Sequence, residues 1–267
     1  MAKYPKIEAI KCKGSSLAKI TSLREAFGIR HREVISLVGA GGKTTFMLAL
    51  ARELADAGES VITTTTTKIF DWQASGTSLI LEADEKRMLE LLQQELKKHR
   101  HITLARERLP AEGKLKGISP ELVDGLAQLE RIDCIIVEAD GAARKPLKAP
   151  NETEPVIPQS TSLVIPVVGI DALGLGLTEE NVFRPQVVSR LTGVPSGGVI
   201  SADAIATLIT HPEGIIKGSP AHARIVPLIN KMDLEAGLAR ASDLAARILE
   251  KGHPQIERVV LGQVQCL

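Results

Sequence analysis

The chain has 267 residues, 44% apolar and 24% charged, which gives a globular protein with a sizeable core and excludes a low-complexity, collagen-like or disordered one. With 33 basic against 32 acidic side chains, the formal charge of +1 supplies no overall attraction to nucleic acid or to an anionic membrane. Cys12, Cys134 and Cys266 lie far apart and form no CxxC pair, which argues against a disulfide framework or zinc ribbon and for a reducing, cytoplasmic setting.

The first residues carry lysines but no apolar signal-peptide core, and residues 6–13 read as an edge strand followed by an extra helix over 16–27. Strand 34–38 leads into helix 43–57, where Leu48, Ala51, Leu54 and Ala55 recur at helical spacing. Strands at 60–64 and 78–81, helix 84–99, strand 102–105, helix 120–129 and strands 133–138 and 162–168 follow. The apolar stretch 163–177 is broken by Pro166 and Asp171, so no membrane span is expected. Residues 172–221, with Gly174, Gly176, Pro185, Pro195 and Pro220, read as an irregular helical insertion. Strand 224–230, helix 234–251 and strand 257–261 complete the chain. Short β-rich runs alternating with longer helical patterns predict an α/β fold: three layers around a mostly parallel sheet. A single domain over 1–267 is expected, with 1–33 as an N-terminal extension.

Gly39-Ala40-Gly41-Gly42-Lys43-Thr44-Thr45 joins a predicted strand to a predicted helix, the context a phosphate-binding loop requires. Glycines let several backbone N–H groups point at phosphate oxygens, and the helix N-terminus adds its positive dipole end. Lys43 is placed to contact the β- and γ-phosphates, and the Thr44 hydroxyl to ligate Mg²⁺. Leu37 stands where the longer Walker pattern has glycine, so the loop is a shortened GxxGKTT. It resembles the nucleotide loop of the Mur ligase family, which reads GTNGKTT. The plain alternative is a βα turn rich in glycine for close packing. On the nucleotide reading the fold is a P-loop NTPase.

Thr63, Thr64, Thr65, Thr66, Thr67 and Lys68 end the second predicted strand. Ligands in open α/β sheets sit beyond the carboxyl ends of strands, so one or two of these hydroxyls, Thr65 among them, are candidates for Mg²⁺ or phosphate oxygen. Threonine is equally a good strand residue. Residues 133–138 form an apolar strand that ends in Glu138, Ala139, Asp140 and Gly141, which reads as a Walker B strand. Glu138 and Asp140, two apart in extended chain, project to one side, where they can hold Mg²⁺ through its waters and orient the attacking water. Gly141 can donate its N–H to a γ-phosphate. Acidic residues also end strands before ordinary turns.

Arg144, Lys145 and Lys148 follow, three positive charges that could contact phosphates or an anionic substrate, although a solvated loop is the expected setting for such a run. Asn230-Lys231-Met232-Asp233 resembles the guanine-specificity motif of GTPases. There the Asp233 carboxylate would accept from guanine N1–H and the 2-amino group, Asn230 would bond near O6 and N7, and the Lys231 stem would cover the ring. Adenine lacks both donors and would leave the carboxylate unpaired. The alternative is Asp233 as a helix N-cap. Arg184 and Arg190 are weaker candidates, as arginine fingers. His99 and His101 straddle Arg100 on a helix end and are expected to be solvated, and Cys134 is expected as a small buried strand residue.

Together GAGGKTT, the TTTTTK run, VEADGAARKPLKAP, NETEPVIP, VVGIDALG, VFRPQ and LINKMDL resemble the YqeC family over about residues 34–233. That resemblance implies an accessory role in maturing selenium-dependent molybdenum hydroxylases, with such an enzyme or its maturation factors as partner. Glu138 with Gly141, and Asn230, Lys231 and Asp233, are also similar to metallochaperone GTPases of the UreG and HypB kind. The loop here is two residues shorter, and their metal-binding Cys and His motifs are absent. The expected function is Mg²⁺-dependent binding and hydrolysis of GTP, favoured over ATP. A kinase or ligase acting on a small acceptor, or a nucleotide-binding regulator with little turnover, stays open, as does a homodimer.

Overall fold

The computed structural model describes residues 6–11, 17–71, 77–234 and 237–264. Residues 12–16, shared by the expected first strand and helix, lie outside these, as do Cys12 and Cys266. The chain begins with β1 (Lys6–Lys11) and β2 (Leu17–Ile20), an antiparallel pair, and then α1 (Leu23–Phe27). The helix expected over 16–27 is therefore confined to its last residues. Its start is set by Ser22, whose side chain accepts from Glu25 N–H, while pairing with β1 draws 17–20 into the sheet.

The alternation expected from the sequence then unfolds through β3 (Glu33–Gly39), α2 (Lys43–Asp56), β4 (Val61–Thr65), β5 (Lys68–Phe70), β6 (Ser78–Leu81), α3 (Glu85–Glu95) and β7 (His101–Ala105). Two short strands, β8 (Glu107–Leu109) and β9 (Lys114–Lys116), form a separate three-stranded sheet in which β9 lies between β5 and β8, which the sequence did not suggest. Next come α4 (Pro120–Leu126), β10 (Cys134–Glu138), β11 (Leu147–Lys148) and β12 (Leu163–Gly169). The irregular segment contains β13 (Val182–Phe183), α5 (Pro185–Thr192) and α6 (Ala202–Thr210). The strand expected over 224–230 is split at Pro227 into β14 (Arg224–Ile225) and β15 (Leu228–Asn230), both against β12. Proline lacks the N–H that a continuous ladder needs. Last are α7 (Gly237–Glu250) and β16 (Arg258–Gln263).

The main sheet runs β2-β1-β16-β15-β12-β3-β10-β4-β7-β6 and is parallel except at the β1 and β2 edge. Side-chain alternation assigns its faces. Ile35 and Leu37 of β3, Ile136 of β10 and Ile165 and Val167 of β12 pack with Phe27 of α1 and Phe46 and Leu50 of α2. Val34, Ile135 and Val137 meet Met88 and Leu92 of α3 and Val123 of α4, while Val38, Val164 and Val168 meet Ile205 of α6 and Leu244 of α7. Helices thus cover both faces, which is why β3, β10 and β12 are buried at every position. β3 lies between β12 and β10, so Gly39, Glu138, Gly169 and Asn230 meet at one end of the sheet. Among the described residues no helix is long and apolar enough to cross a membrane.

Candidate nucleotide site

The loop after β3 crosses the end of β12 at close range. Ala40 N–H donates to the Val167 carbonyl at 2.9 Å. Gly41 has φ +91°, and a Cβ there would lie 2.1 Å from Gly169 N; Gly42 has φ +121°, and its Cβ would lie 2.6 Å from Asn230 Nδ2. Left-handed backbone and absent space both demand glycine at these two positions. The curl delivers Lys43 and Thr44 to the first turn of α2, whose N-cap Gly42 offers no side chain.

Beneath the loop the charges interlock. Lys43 Nζ donates to the Gly39 carbonyl at 2.6 Å and lies 3.1 Å from Asp140 Oδ1 and 3.6 Å from Glu138 Oε1. Thr44 Oγ1 donates to Glu138 Oε2 at 2.6 Å. Two of the four residues expected at Mg²⁺, Thr44 and Glu138, are thus in direct contact. Burial works to lower the Lys43 pKa, but Asp140 and Glu138 outweigh it and the net shift is upward. Burial raises that of Glu138 above the usual carboxylate range, against the opposing pull of Lys43 and Thr44. Lys43 remains a cation, held back against the floor of the loop.

Asp140 departs from its expected place beside a reacting water. Its Oδ2 accepts from Gly39 N–H at 3.0 Å and lies 2.9 Å from Lys148 Nζ, so the carboxylate is enclosed between two lysines below the loop. Lys148 departs further: expected in solvent, it is 1% exposed. It also reaches Glu154 Oε2 at 3.1 Å and the Gly141 carbonyl at 2.7 Å. Glu154 in turn accepts from Arg184 Nη1 at 2.8 Å. Arg184 is therefore no finger on the loop; its guanidinium stacks on Phe183 and closes a ladder running Lys43–Asp140–Lys148–Glu154–Arg184. Arg190 is exposed near the end of α5.

Thr63, Thr64 and Thr65 serve the sheet, while Thr66 and Thr67 line a neighbouring cavity. Thr63 bonds His101 and Thr103, Thr64 donates to the Leu104 carbonyl, and Thr66 to the Val156 carbonyl. Thr65, expected at Mg²⁺, donates instead to the Glu138 carbonyl at 2.7 Å and does not line the cleft. His101 opens β7 rather than ending a helix, and burial drives its pKa down to about 4. His99 lies 3.4 Å from Glu95. Cys134 is buried as expected, and burial raises its thiol pKa.

Asn230 does not present itself to a base. It is buried, donates from Nδ2 to the Gly41 carbonyl at 3.0 Å and accepts from Val264 N–H at Oδ1, which clamps the loop. Lys231, at φ 68°, lines the cleft and pairs with Asp171. Asp233 is exposed in the turn after β15, and the described part of α7 begins at Gly237. The cleft encloses ≈ 350 Å³. Gly41, Gly42, Lys43, Thr44, Thr45, Glu138 and Gly141 line it, with Arg144, Lys145 and Lys231. Arg144 stacks on Phe70, and Lys145 donates to the Glu180 carbonyl. Phe70 and Lys114 also reach the cleft and were missed from sequence; only the Lys-Leu-Lys alternation at 114–116 hinted at a cationic face. Among the described residues no three His, Cys, Asp or Glu side chains converge as a metal site.

Fold and site together define a three-layer α/β protein of the P-loop type. Residues 35–186 match the family described as YqeC protein. Over 237 residues the chain is 34% identical to YqeC of Escherichia coli (strain K12), covering 87% of this chain and 88% of that one. The chain belongs to the YqeC family. Among solved structures, FtsY from Mycoplasma mycoides aligns with 80% of this chain at 13% identity and a TM-score of 0.27. This chain covers 48% of that one.

Proposed function

We propose that this protein binds a nucleoside triphosphate with Mg²⁺ on the 39–45 loop and hydrolyses it, with GTP favoured over ATP. The observation that carries the reading is the contact of Lys43 and Thr44 with Glu138 under a loop where a Cβ at Gly41 or Gly42 finds no room. Lys43 can exchange the Gly39 carbonyl for a phosphate oxygen while Asp140 stays neutralised by Lys148. Thr44 and Glu138 would hold Mg²⁺, which when bound offsets the charge of the phosphates. Glu138, at the cleft wall, is the group that would orient water; Asp140, enclosed below, positions Lys43. Asn230 sets the loop, and Lys231 and Asp233 would read the base.

The test is phosphate release from GTP and ATP in Mg²⁺. Turnover of GTP should exceed that of ATP, and Glu138→Gln should lower it by about 100-fold while GTP still binds. Absence of turnover in the unaltered chain would overturn the hydrolase reading. The family resemblance supports an accessory role in maturing a selenium-dependent molybdenum hydroxylase, with that enzyme or a maturation factor as partner. Loss of the hydroxylase activity in cells carrying only the Glu138→Gln chain would be the expected result; full activity would contradict the role.

A further inference from the structure

A second cavity, of ≈ 550 Å³, opens beside the loop cleft and shares Lys68, Lys114, Gly141 and Ala143 with it. Five cationic side chains line it, Lys68, Arg106, Lys114, Lys116 and Arg184, against the carboxylate of Glu154. The small sheet arranges them. Lys114 and Lys116 of β9 fall on one face while Leu115 between them is buried, and Lys68 comes from the paired strand β5. The neighbouring carboxylates offset part of this charge, Glu112 accepting from Lys68 at 2.7 Å and Glu154 from Arg184 at 2.8 Å, while Lys114 and Lys116 are paired only loosely. Glu112 lies 3.6 Å from Lys114, and Glu107 lies 4.0 Å from Lys116, with Glu107 and Lys116 more than half exposed. Arg106 is half-buried and forms no ion pair among the described residues. Ile118 and Phe183 give the wall an apolar part.

We propose that this cavity binds a compact organic anion carrying two or more carboxylate or phosphate groups. Like charges gathered around one concavity repel one another, and a multiply charged ligand relieves that repulsion at several points at once. The volume is that of a small-molecule site. A nucleic acid backbone would instead call for cations strung along an open surface. The four shared residues put this ligand next to the Glu138–Gly141 end of the loop cleft, so the protein handles a second small molecule beside its first. The proposal does not depend on the nucleotide reading, because Arg106, Lys116 and Arg184 do not line the loop cleft.

The test is titration of the full-length, ¹⁵N-labelled chain without Mg²⁺, followed by amide NMR. The probes are tricarballylate for carboxylate chemistry and inorganic pyrophosphate for phosphate. Saturable shifts at Arg106 and 116–118 are expected with at least one probe, and the tighter one identifies the ligand chemistry. With tricarballylate the amides of 41–45 should stay in place. Arg106→Gln with Lys116→Gln should weaken binding about tenfold and leave GTP affinity unchanged. Shifts confined to 39–45, the same response to sodium chloride at equal ionic strength, or unaltered affinity in the double variant would overturn the proposal. Failure of GTP to bind would count against the nucleotide reading alone.

Discussion

Replacing Lys148 by methionine tests whether the buried ladder holds the site together. Lys148 is 1% exposed, and its Nζ lies 2.9 Å from Asp140 and 3.1 Å from Glu154. Methionine keeps most of the stem and removes the charge. Breaking a buried pair from one side costs about 3–5 kcal/mol, because the partner is left without compensation. Here Asp140 retains Lys43 and the Gly39 N–H, and Glu154 retains Arg184, which places the expected loss at the lower end, about 3 kcal/mol. Urea unfolding should show this as a midpoint lowered by about 1 M, for an m-value of about 3 kcal/mol/M. A single-variant loss below about 1 kcal/mol at unchanged m would refute the ladder as a stabilising element.

Gly41→Ala places a Cβ 2.1 Å from Gly169 N in left-handed backbone, so triphosphate affinity should fall by about 100-fold or more in calorimetry; unaltered affinity would show that the loop shape is not needed. Asp233→Asn should reduce the preference for GTP over ATP by about tenfold in competition and leave pyrophosphate affinity intact, whereas an unchanged preference would separate the motif from base choice. For His101, burial sets the folded pKa at about 4, below the unfolded value of about 6.5. The unfolded chain therefore takes up the proton first. The stability tied to this residue is complete above a pH of about 6.5 and is lost as pH falls toward about 4, about 3 kcal/mol in all. An NMR titration of the imidazole should give a midpoint near 4, and one near 6.5 would contradict its burial against Thr63.

The strand–loop–helix at 34–57 was legible because three local signals agree: an apolar run, glycines, then Lys-Thr-Thr at a helix start. Glu138 was legible for the same reason, ending a fully apolar strand. The threonine hydroxyls were not, because their use depends on β10 and β7 lying on either side of β4, a pairing that 60–68 does not encode. Lys148 likewise reads as solvated until Glu154 and Arg184 are brought to it from 6 and 36 positions along the chain. Asn230 ends its strand as expected, yet its reach to Gly41 requires β15 and β3 to end at the same level of the sheet, either side of β12. Charge identity was visible in the sequence, whereas charge partnership was set by topology.

Nucleotide binding on the 39–45 loop is best tested by calorimetry of GTP and of ATP, each with Mg²⁺, with the unaltered chain and with Lys43→Ala in one buffer. Tight GTP binding, weaker ATP binding, and loss of both in the variant are the expected results. Equal affinity for the two nucleotides would contradict the role of Lys231 and Asp233. No binding to the unaltered chain, or normal binding without Lys43, would contradict the site itself.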